Sequence, residues 1–98
     1  MGDSMNGLQV SPLTDADRIF ALPDRAAREA ALLKLEINRR DMVSHFLVLK
    51  FAKRLCEATP RGEHETVIEQ IPAHLVEDVK PLARSYIEAA KIVAGSKA

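Results

Sequence analysis

Residues 39–57 read Arg39-Arg40-Asp41-Met42-Val43-Ser44-His45-Phe46-Leu47-Val48-Leu49-Lys50-Phe51-Ala52-Lys53-Arg54-Leu55-Cys56-Glu57, and no proline or glycine falls anywhere between Asp24 and Thr59. The apolar residues Met42, Val43, Phe46, Leu47, Val48, Leu49, Phe51, Ala52, Leu55 and Cys56 cover most of the circumference when wound at 3.6 residues per turn. A helix that is apolar on most sides either occupies the centre of a bundle or buries a second face on another chain. This stretch therefore places the protein in the all-α class, as a compact bundle of four to five helices with residues 39–57 at its middle.

The neighbouring elements follow from capping and punctuation. Ser11-Pro12 opens a first helix, because serine caps free N–H groups and proline suits the first helical position. Leu13, Ala16, Ile19 and Phe20 form its apolar stripe, and Pro23 ends it. Asp24 caps a second helix carrying Ala27, Ala30, Ala31 and Leu35 on one side. A single helix from Asp24 to Thr59 would be about 50 Å long. A break near Ile37-Asn38 is preferred, with Asn38 as the cap and Asp41 placed where an acid favours a helix start. Thr59-Pro60 opens a fourth helix by the same logic, with Val67, Ile68 and Ile71 as its stripe. Pro72 opens a fifth, in which Leu75, Val79, Leu82, Tyr86, Ala90 and Val93 recur at three-to-four spacing. Pro81 lies inside it and predicts a bend rather than a break. Gly95 marks a helix stop.

The chain has 98 residues, is 47% hydrophobic and carries no formal net charge. That supports one helical domain over residues 11–94, with a flexible leader over 1–10 (Met5 being an alternative start) and a frayed tail over 95–98. No apolar run approaches the roughly 20 residues of a membrane span, so no membrane partner is expected. A lone cysteine, Cys56, excludes an intrachain disulfide framework and fits the reducing conditions of a cytoplasmic protein.

A shift of 36 residues superposes Arg25 on Arg61, Glu29 on Glu65 and Val43 on Val79, and brings Ala31, Leu32, Leu35, Phe46 and Phe51 onto Val67, Ile68, Ile71, Leu82 and Ile87. The pattern is that of two helix-turn-helix repeats. The run Leu22-Pro23-Asp24-Arg25-Ala26-Ala27-Arg28 continues through Leu32 and Leu35 to Arg40, Val43, His45 and Arg54. It resembles short helical proteins encoded by phages and prophages, which carry a Leu-Pro, paired arginines, a leucine, a Val-Pro turn, then Arg, Val, His and a closing Arg. Val67–Lys91, with Ile71-Pro72, is similar to the second half of that pattern. The first copy has Glu36 in place of the turn proline, and the second lacks the paired arginines. The resemblance implies a mobile-element origin rather than an activity.

Residues able to do chemistry are scattered. His45, His64 and His74 lack the i, i+4 spacing of a helical zinc pair, and Cys56 has no partner cysteine, so no metal or other cofactor is expected. Cys56 sits near a helix C-terminus, where the dipole disfavours a thiolate. Ser44 and Ser85 lie in helices without a nucleophile-elbow context, and no glycine-rich loop is present to cradle phosphate. The reading is of a protein that is not an enzyme.

Charge is polarised along the chain. Arg39, Arg40, Lys50, Lys53 and Arg54 stand against the single Asp41, whereas Glu57, Glu63, Glu65, Glu69, Glu77 and Asp78 stand against Arg61 alone. The basic helix is expected to pair with the acidic segment, within one chain or across a homodimer. The favoured function is protein binding. The chain reads as a small accessory factor of phage or prophage origin that modulates or inhibits a host or phage protein complex, anti-defence being one form. The surface expected to meet a partner or a second copy comprises Met42, Phe46, Leu49, Lys50, Lys53 and Arg54. The alternative is a helix-turn-helix DNA-binding regulator. Nucleic acid ranks second because a recognition helix must offer polar residues to a groove and this one is largely apolar.

Overall fold

A computed structural model describes residues 11–97, so the proposed leader Met1–Val10 lies outside the described residues. The described residues form five α-helices and no strand: α1 (Pro12–Phe20), α2 (Arg25–Leu33), α3 (Ile37–Ala58), α4 (His64–Ile68) and α5 (Val76–Lys97). The all-α bundle expected from the sequence is the observed fold. Ser11 caps α1 through its hydroxyl, which accepts the Thr14 N–H at 3.1 Å, with Pro12 in the first turn. Asp24 caps α2, accepting the Ala27 N–H at 2.8 Å.

α3 forms the middle of the bundle and packs against every other α-helix, most extensively α5 and α1. Its Val43, Leu47, Phe51, Ala52 and Leu55 are fully buried. They join Ala16 and Ile19 of α1, Leu32 of α2, Val67 and Ile71 around α4, and Val79 and Ala83 of α5 in one core. The Phe20 ring meets the Phe51 ring edge-on, 4.8 Å between centroids.

The break between the second and third helices is present, but its chemistry differs from expectation. α3 begins one residue before Asn38, and its cap is Glu36, whose carboxylate accepts the Arg39 N–H at 3.0 Å. The turn has neither glycine nor proline. Instead, the Arg40 guanidinium donates to the carbonyls of Leu32, Leu33 and Leu35 at 3.0–3.3 Å. Leu32 and Leu33 end α2 and Leu35 lies in the turn beyond it; the guanidinium adds to the bond that the Leu32 carbonyl accepts from the Leu35 N–H at 3.1 Å.

The fourth helix also departs from the reading. Thr59 and Pro60 do not open it. They continue α3 into a 3₁₀ turn, Thr59–Arg61, while the Thr59 hydroxyl donates back to the Leu55 carbonyl at 2.8 Å. Gly62 then takes φ +73°, a left-handed conformation that stops a helix and suits glycine. Only His64–Ile68 remains for α4. Pro72 leads into a second 3₁₀ turn, Ala73–Leu75, before α5 starts. α5 runs unbroken through Pro81 and past Gly95 to Lys97, where the sequence reading placed a stop and a frayed tail.

The two halves repeat in architecture: a short helix, a turn, then a helix of 22 residues (α3 and α5). At the 36-residue offset, Val43 and Val79 are both fully buried, as are Leu47 and Ala83. The domain measures 57 × 27 × 20 Å with a radius of gyration of 15.7 Å, above the roughly 13 Å of a compact chain this long. At the end of α5, every residue from Glu88 to Gly95 is exposed.

Candidate docking surface

The six residues expected to form one surface all lie on α3 and differ in their surroundings. Leu49, Lys50 and Lys53 gather along one edge of α3. There, with Cys56, Glu57 and Tyr86, they line an open, largely apolar groove of about 570 Å³ between α3 and α5. Met42 stands exposed towards the other end of the helix. Phe46 is partly buried and packs against the edge of the core, leaving part of its ring exposed. Arg54 does not line the groove. Its guanidinium lies 4.2 Å above the Phe20 ring centroid, a cation–π contact that ties α3 to α1.

The groove continues beyond the residues named from sequence. Cys56 also lines a second depression, about 390 Å³, with Thr59, Pro60, Ile87, Ala90, Lys91 and Ala94. The stripe of α5 that buries Val79 and Ala83 and half-buries Leu82 and Tyr86 thus runs on through Ala90 and Val93. Val93 is 54% exposed. α3 ends at Ala58, and past that point the same apolar face of α5 lies open to solvent. The three-to-four spacing identified these residues as a stripe. Their lack of cover depends on where α3 stops.

The expected pairing of the basic helix with the acidic segment is not formed within the chain. Arg39 pairs with Asp15 at 2.6 Å, and Lys50 with Asp17, so two of the α3 cations are met by α1 instead. Asp15, 3% exposed, also receives Arg18 and holds two guanidinium groups at the α1–α3 contact. Among the described residues, Glu57, Glu63, Glu69 and Asp78 form no ion pair, and neither do Lys53 and Arg54. The acidic segment touches α2 through backbone carbonyls: Arg25 donates to Ile68 and Ile71, and Arg28 to Gln70, at 2.6–2.8 Å. Glu29 of α2 accepts the Ala73 N–H at 2.8 Å.

Arg28 is the most enclosed cation, 3% exposed. Besides Gln70, it donates to the carbonyls of Phe20 and Leu22 at 3.1 and 2.5 Å, and it lies 5.3 Å above the Phe51 ring. Burial lowers its pKa below the ordinary guanidinium value and Arg54 lowers it further, against a raising effect of Asp24. Its Nε has no hydrogen-bond partner. Arg25 and Arg28 thus join three segments, α1's end, α2 and the α4–α5 turn, into one unit.

The three histidines lie on separate elements. His64 meets only Glu65, at 3.3 Å, and His45 lies edge-on to Phe46. Among the described residues, no three His, Cys, Asp or Glu side chains lie close enough to hold a metal ion. No described helix is long and apolar enough to cross a membrane. No protein-family model matches the chain, and no curated protein or solved structure matches it as a relative.

Proposed function

We propose that the protein is a small docking module, an accessory factor without chemistry of its own that acts by occupying a protein surface through the α3–α5 groove. The observation that carries this is the uncovered apolar face running from Leu49 and Cys56 across Tyr86 to Ala90 and Val93. Contiguous apolar surface with a polar rim is the usual mark of a protein contact. The phage-like sequence pattern supports a mobile-element origin, with modulation of a host or phage complex as the role. The lone, half-buried Cys56 fits a reducing, cytoplasmic setting.

The helix-turn-helix DNA-binding alternative has less support from the geometry. α3 is packed on by all the other helices, and its cations Arg39, Arg40 and Lys50 are engaged within the chain. Capture from a host lysate with the tagged full chain, run beside Val93→Asp, tests the proposal. A stoichiometric protein retained by the wild type and lost from the exposed-site variant supports docking through this face. Identical capture by both proteins, or recovery of nucleic acid that elutes steeply with salt, overturns it.

A further inference from the structure

We draw no further inference here: the strongest candidate, the pocket of about 250 Å³ that His64, Lys80 and Arg84 line between the end of α3, α4 and α5, carries nothing, because Lys80 and Arg84 are exposed, His64 and Lys80 already meet Glu65 and Glu77, and no buried polar side chain lines it to mark a ligand.

Discussion

At the scale of single residues, three arginines do work that helix punctuation usually does. Arg40 closes the α2–α3 turn, and Arg25 and Arg28 close the end of α4, each by donating to carbonyls at or just past a helix end. A planar guanidinium can reach several acceptors in fixed directions, which an ammonium cannot. Arg28→Met is therefore expected to cost about 2–4 kcal/mol, because the partly buried Phe20, Leu22 and Gln70 carbonyls lose their donor. Arg28→Lys is expected to recover less than half of that. Urea unfolding followed by circular dichroism measures both. The sequence showed the paired arginines as a motif, and only the fold revealed which carbonyls they meet, since Gln70 lies 42 positions away.

At the scale of elements, capping logic succeeded where the partners are local. Ser11 and Asp24 cap as their sequence context indicates. It failed at Thr59-Pro60, because Thr59 turned its hydroxyl back to Leu55 and the left-handed residue three positions on, Gly62, became the stop. The two glycines of the described domain thus carry opposite expectations. Nothing lies within 4 Å of a Cβ built at either, so backbone conformation alone decides. Gly62→Ala is expected to destabilise by about 1 kcal/mol because it forces a Cβ into positive φ. Gly95→Ala lies within α5 and is expected to raise the helicity of its last turns, contributing up to about 0.5–1 kcal/mol there. Thermal melts and helical ellipticity of the two variants, compared with the wild type, separate these effects.

At the scale of the whole molecule, the decisive feature is that α5 outruns α3. A chain ended after Ala89 is expected to keep its fold, with a melting temperature within about 4 °C of the full chain, because residues 90–95 are all exposed. The same truncation is expected to lose the partner protein that the full chain retains, which capture from lysate reads directly. Phe46→Asp is expected to behave differently: its ring packs on the monomer core, so it should lower stability by about 2–4 kcal/mol in urea unfolding. The sequence by itself determined the helical class, the central place of residues 39–57, the core stripe of each long helix and the repeated short–long helix plan. These depend on periodicity and local caps, which are written in neighbouring residues. Only the tertiary structure decided that Phe46 packs against the core edge, that Arg54 stacks on Phe20, and that α1 rather than the acidic segment pairs with Arg39 and Lys50. It also decided that Lys53, Glu57 and the far stripe of α5 are left uncovered. Those outcomes depend on where one helix ends relative to another, and helical periodicity fixes which side of a helix is apolar without fixing what, if anything, lies against it.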